Sequence, residues 1–172
     1  FSIVLGVSLT APEKRESDSG FKFVARQAEP LSASLGVAVH KKRDSEVSGD
    51  SGSYFKLEDG RLCVILSDGM GSGERASKES AVVVETLEEL LKAGFEQEAA
   101  LSMLNTALVM GREDVNFATI DVCVFDLFQG ICEIIKSGAS ITFIKYEDHV
   151  EKISSTSLPI GVVQDIELEK AK

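Results

Sequence analysis

Two helical stretches follow one another with only Gly94-Phe95 between them, and strand-like runs lie on both sides. The first spans about Glu74 to Ala93, where Ala76, Ser80, Val83, Val84, Leu87, Leu90 and Leu91 recur at helical spacing and Gly94 is suited to the position after a helix end. The second spans about Glu96 to Val109, with Ala100, Met103, Leu104, Ala107 and Leu108 inward and Gly111 beyond its end. Both stripes are those of core-forming helices. Strands, then a helical hairpin, then strands, is an α+β order with mostly antiparallel pairing, and it excludes a regular β-α-β alternation. Two packed sheets with helices over an outer face are expected.

The strands are read from period-2 alternation. Phe1 to Thr10 alternates, Ala11 to Gly20 reads as a mobile loop, Phe21 to Ala25 alternates again, and Leu31, Ala33, Leu35, Val37 and Val39 give another strand. Lys41 to Ser53 reads as a loop. Tyr54–Leu57 and Arg61–Leu66 flank Asp59-Gly60, a hairpin signal. Leu62 to Leu66 is apolar on both faces, so this strand is expected to be central and covered on both sides. After the helices a meander is expected over Thr119–Leu127, Ile131–Ser137, Ile141–Tyr146 and Val150–Ser154.

The chain has 172 residues, 44% of them hydrophobic, which suits one domain with a sizeable core. Its formal net charge of −10 opposes a phosphate backbone and argues against general nucleic-acid binding. No apolar stretch approaches a membrane span, and the first ten residues lack the basic start of a signal peptide. A cytosolic segment is expected, with a parent protein that could be anchored elsewhere. Cys63, Cys123 and Cys132 sit in apolar runs without CxxC or Cys/His spacing, so buried reduced thiols are expected. His40 and His149 lack ligand spacing. Lys41-Lys42-Arg43 reads as a solvated loop.

Two aspartates stand out. Asp50 lies in Val47-Ser48-Gly49-Asp50-Ser51 ahead of the hairpin, and Asp68 lies in Ser67-Asp68-Gly69-Met70-Gly71-Ser72-Gly73 between the buried strand and the first helix. The hairpin can return one near the other, and the flanking glycines admit close approach of a ligand. Paired carboxylates at strand ends suit magnesium or manganese. On spacing alone, Asp68 or Ser72 could instead cap the helix and Asp50 could organise a turn. The glycine run is GxGxG rather than GxGxxG, is preceded by an acid, and is followed by a second helix, which argues against a dinucleotide site. It lacks the lysine of a Walker loop. No histidine neighbours a serine motif, and there is no Cys-x5-Arg signature.

These segments resemble, in order, the motifs of the phosphatase domain of stage II sporulation protein E, within the PP2C-like family. They are Val47 to Ser51, Ile65 to Ala76, Phe117-Ala118-Thr119-Ile120-Asp121, Gly138 to Ile144, and Ser157-Leu158-Pro159-Ile160-Gly161. Ile141 stands where family members often carry proline. The resemblance covers about 35–163 and implies a β-sandwich with a partial phosphatase domain over 35–172. Residues 1–34 are expected to be an N-terminal extension or regulatory connector, in which Phe1 to Pro30 could form an extra strand pair or join an upstream regulatory region that supports a homodimer. It implies a serine/threonine protein phosphatase using two Mn2+ or Mg2+ ions, with Asp50, Asp68 and the Gly69 carbonyl as ligands, and Asp50 and Asp68 as the catalytic pair. The implied substrate is a phosphorylated anti-sigma-factor antagonist. In relatives the helical hairpin regulates metal affinity. Family domains continue with another Ser-Asp-Gly and a later Asp-Asp, so weak metal binding and little activity are expected of these 172 residues alone. A non-catalytic binding module of the same fold is the alternative.

Overall fold

The computed structural model describes residues 6–17, 20–41, 47–71, 73–111 and 117–172. Its centre is a five-stranded antiparallel sheet in the order β3-β4-β5-β6-β9, made of Asp50–Lys56 (β3), Leu62–Asp68 (β4), Ile120–Asp126 (β5), Ile131–Ser137 (β6) and Glu169–Ala171 (β9). Two two-stranded sheets accompany it: Glu13–Ser17 (β1) with Gly20–Val24 (β2), and Thr142–Lys145 (β7) with Val150–Ile153 (β8). Helices Glu74–Lys92 (α1) and Gln97–Met110 (α2) form the hairpin between β4 and β5.

One face of the large sheet packs on the helices. Phe55, Cys63, Ile65, Ile120, Val122, Val124 and Ile135 meet Val83, Val84, Leu87, Leu91, Ala100, Leu101 and Leu104 in a single apolar cluster. The α1 stripe buries as its spacing predicts, except that Leu90 stays half-buried. The α2 stripe is rotated by one residue from the expected phase. Leu101 and Asn105 are buried, whereas Met103 is 47% exposed and Ala107 also faces out. The Asn105 amide accounts for this, because it donates to Val163 O and Gln164 O, each at 3.0 Å, while its Oδ1 accepts from Gly161 N at 2.8 Å. A buried amide with three partners holds that face inward more firmly than a methionine would.

The opposite face, carrying the even positions of β3, β4 and β6 and the odd positions of β5, is covered over one half only. Ile134 and Lys136 are buried, while Tyr54 and Leu66 are 62% and 57% exposed. So β4 is central as expected, but it is not covered on both sides.

Several expectations are corrected. The stretch expected as a loop over 11–20 contains β1, paired in register with β2. The strand expected over 31–39 is absent: those residues form no ladder, and Val37 and Val39 are 75% and 68% exposed. Alternation alone does not make a strand, which also needs an edge to pair with. In the first alternating run, residues 1–5 lie outside the described residues, and Leu9 makes only an isolated bridge to Gln27. The loop expected through Ser53 ends earlier, since β3 starts at Asp50. The meander divides after β6, and β7–β8 forms its own sheet. Strand β9 at the edge of the large sheet had no sequence signal beyond its three residues.

Cys63 is buried, and Cys123 and Cys132 are half-buried; all three are free thiols. His40 is exposed, and His149 stacks on Tyr146 with ring centroids 4.5 Å apart. Of the basic stretch, Lys42 and Arg43 lie outside the described residues. Among the described residues no helix is long and apolar enough to cross a membrane.

Candidate metal centre

The two aspartates singled out in the sequence are direct partners across the β3–β4 ladder, Asp50 opposite Asp68, at the open end of the hairpin. Directly opposed residues project to the same face with Cβ atoms about 4.5–5.5 Å apart. Both side chains are exposed. This register is set at the other end. Leu57 N donates to Arg61 O at 2.8 Å and Gly60 N to Leu57 O at 2.9 Å, and Gly60 has φ 92°. That is a three-residue loop whose last position needs a left-handed conformation.

Each aspartate is held by its own neighbours. The Ser48 hydroxyl donates to Asp50 Oδ2 at 3.1 Å and accepts from Asp50 N at 3.3 Å. Asp68 N donates to Thr119 Oγ1 at 2.9 Å, and Thr119 N donates to Asp68 O at 3.0 Å. Gly69 N donates to Gly49 O at 3.1 Å, which ties the two loops together just past the aspartates. The Ser80 hydroxyl of α1 donates to Gly49 O at 2.7 Å and pairs with the Ser51 hydroxyl at 2.8 Å.

Glycine is required where the helix meets these loops. A Cβ on Gly69 would fall on the Ala76 carbonyl, and one on Gly49 would meet Ala76 Cβ at 3.2 Å. The start of α1 therefore lies directly against the aspartate-bearing loops. Asp68 is not the N-cap residue of α1, which is Gly73, with φ 83° and no side-chain cap bond. Ser72, the other capping candidate, lies outside the described residues.

Two exposed carboxylates on one face, beside backbone carbonyls kept approachable by glycine, are hard oxygen donors of the type Mg2+ and Mn2+ take. They fit part of such a shell. Among the described residues no group of three or more His, Cys, Asp or Glu side chains is placed to complete one.

Sequence reasoning gave no role to Asp121, Lys136, Thr142 or Asn105. Lys136 is 1% exposed and its ammonium pairs with Asp121 Oδ2. The signal available was a lysine interrupting the apolar run Ile134-Ile135 in a central strand.

A sequence model of the family described as stage II sporulation protein E (SpoIIE) matches residues 58–172. The chain is 37% identical over 134 residues to stage II sporulation protein E of Priestia megaterium, a match covering 78% of this chain and 23% of that protein. It is 31% identical over 164 residues to the Bacillus subtilis (strain 168) protein of the same name, covering 95% of this chain and 20% of the relative. The chain thus spans about a fifth to a quarter of the length of these relatives. The solved structure of the PP2C phosphatase domain and a fragment of the regulatory domain of the cell fate determinant SpoIIE from Bacillus subtilis superposes with a TM-score of 0.77 at 31% identity, covering 99% of this chain and 51% of that one.

Proposed function

This chain belongs to the stage II sporulation protein E family of PP2C-type serine phosphatases, and from that premise we propose that Asp50 and Asp68, with the Gly69 carbonyl, are the ligands through which it binds Mn2+ or Mg2+. The observation that carries this is the Asp50–Asp68 register, which sets two carboxylates on one face at a sheet end. The proposed reaction is hydrolysis of a phosphoserine or phosphothreonine on a regulatory protein. In it, water oxygen bonds to phosphorus as the bond to the side-chain oxygen breaks, yielding the free hydroxyl and inorganic phosphate. When bound, the two ions supply activation of that water and neutralisation of phosphoryl charge.

The chain's own residues do the rest. Asp50 and Asp68 would hold the cations by their negative charge, which without those cations would repel the dianionic substrate. Gly49 and Gly69 let α1 close against the loops without filling the face beside the carboxylates. Thr119 and Ser48 fix the backbone at each aspartate, so the pair is presented without reorganisation. The proposed substrate is a phosphorylated anti-sigma-factor antagonist, a reading supported by family membership. A homodimer is part of the same proposal, with 1–34 as its connector.

The test is manganese-dependent release of phosphate from a phosphoserine protein by the parent chain. Asp50→Asn and Asp68→Asn are each expected to lower it by at least about 100-fold, and full activity in either variant rejects the assignment. The alternative is a non-catalytic module of the same fold that docks a regulatory partner. Binding of the phosphoprotein without any phosphate release by the parent chain would support it.

A further inference from the structure

Behind the aspartates, a charged cluster lies buried between the large sheet and β7. Lys136 Nζ pairs with Asp121 Oδ2 and donates to Thr142 Oγ1 at 2.7 Å, and the Thr142 hydroxyl donates to Asp121 Oδ2 at 2.6 Å. The Lys136 side chain is 1% and that of Asp121 15% exposed. Asp121 and Lys136 are register partners on β5 and β6, and Thr142 comes from β7 of the separate sheet. Three strands from two sheets thus meet at one ion pair.

Such a pair is poorly explained as a source of stability. Desolvating two charges offsets most of their attraction, and apolar side chains of the same volume commonly stabilise as well or better. What an ion pair with a shared hydroxyl supplies, and an apolar contact does not, is a fixed direction and spacing between strands. The strand it fixes is the one that grips Asp68. Thr119, immediately before β5 and two residues before Asp121, bonds both the N–H and the carbonyl of Asp68. Asp121 itself lies opposite Leu66, two residues before Asp68 on the same face.

We propose that Lys136, with Asp121 and Thr142, is a positioning residue for the carboxylate pair. The cluster locks β7 onto β5 and β6, and through Thr119 it holds Asp68 in the place where it can share an ion with Asp50. This rests on the metal-site reading above. Lys136 touches no substrate; it acts through the backbone of β5.

The test is Mn2+ titration of the parent chain, read from free Mn2+ by electron paramagnetic resonance, with the thermal midpoint of each variant measured in parallel. Thr142→Val keeps shape and removes the hydroxyl; it is expected to lower the midpoint by a few degrees and, at a temperature where it stays folded, to raise the Mn2+ Kd about 3- to 10-fold. The double variant Asp121→Leu/Lys136→Met removes both charges together. It is expected to fold with a midpoint close to the native one yet to bind Mn2+ about 10-fold more weakly or worse. A merely structural cluster would leave both Kd values native, and that result overturns the proposal. If the double variant fails to fold, Thr142→Val decides alone. Asp68→Asn separates the two readings: native Mn2+ binding in that variant contradicts the metal site itself, whereas loss there with native binding in the cluster variants contradicts only the positioning role.

Discussion

Gly60 decides which side chains meet at the far end of its hairpin. Asp50 lies nine residues before Asp59 and Asp68 nine after it, so a three-residue loop of Glu58, Asp59 and Gly60 sets them opposite each other. A two-residue loop over Asp59-Gly60 would shift the register by one and place Gly69 opposite Asp50. Asp68 would then point to the other face. Gly69 is constrained differently, by the Ala76 carbonyl against it. Gly69→Ala is expected to lower stability by about 1–3 kcal/mol through overpacking, measured by urea denaturation. Among the thiols, burial pushes Cys63 up from 9.0 to about 12, against the opposing pull of Arg61. The folded state then keeps a proton that the unfolded chain releases. This contribution is complete below pH 9.0 and is lost as pH rises toward about 12, at about 1.4 kcal/mol per pH unit. Urea denaturation between these pH values should show that slope in the native chain and a shallower one in Cys63→Ala. Equal slopes would contradict the assignment. The neighbouring Cys132 thiol and burial push the Cys123 thiol up, so it keeps its proton.

At the scale of elements, α2 and the 161–164 loop are joined through Asn105. Asn105→Ala leaves Gly161 N, Val163 O and Gln164 O without their present partner, an expected loss of about 2–4 kcal/mol. For a domain of this size that is a fall in thermal midpoint on the order of 10 °C. The loop leads back to the aspartate pair, since Ile160 bridges Ala118 and Ala118 bridges Gly69. The β1–β2 hairpin is a contrasting case. Phe21 and Phe23 are 61% and 65% exposed, and Lys14 lies over the Phe21 ring at 3.6 Å. Removing residues 1–24 is expected to change the thermal midpoint by no more than about 2 °C. A large fall would show that the hairpin is integral to the domain.

For the whole molecule, α1, β5 and β6 and the nearness of the two aspartates were legible because local signals agreed: an unbroken helical stripe, strands bounded by turns, and Asp-Gly at the hairpin tip. What failed depended on distant partners. Leu31 to Val39 alternates as well as any strand, yet no edge receives it among the described residues. The phase of α2 turned on an amide whose acceptors lie about sixty residues away. Lys136 interrupts an apolar strand, and its role is not legible locally because its partners come from β5 and β7. The fold is that of PP2C phosphatases, and the acidic pair sits at one end of its large sheet. An overall charge of −10 would also gather divalent ions diffusely, so the decisive observation must localise them. Substoichiometric Mn2+ added to the 15N-labelled chain should first broaden the amide resonances of Gly49 to Ser51 and Asp68 to Met70, and Asp68→Asn should abolish that selectivity. Broadening spread over acidic surface positions such as Glu85 and Glu89, unchanged in Asp68→Asn, would contradict a site built on Asp50 and Asp68.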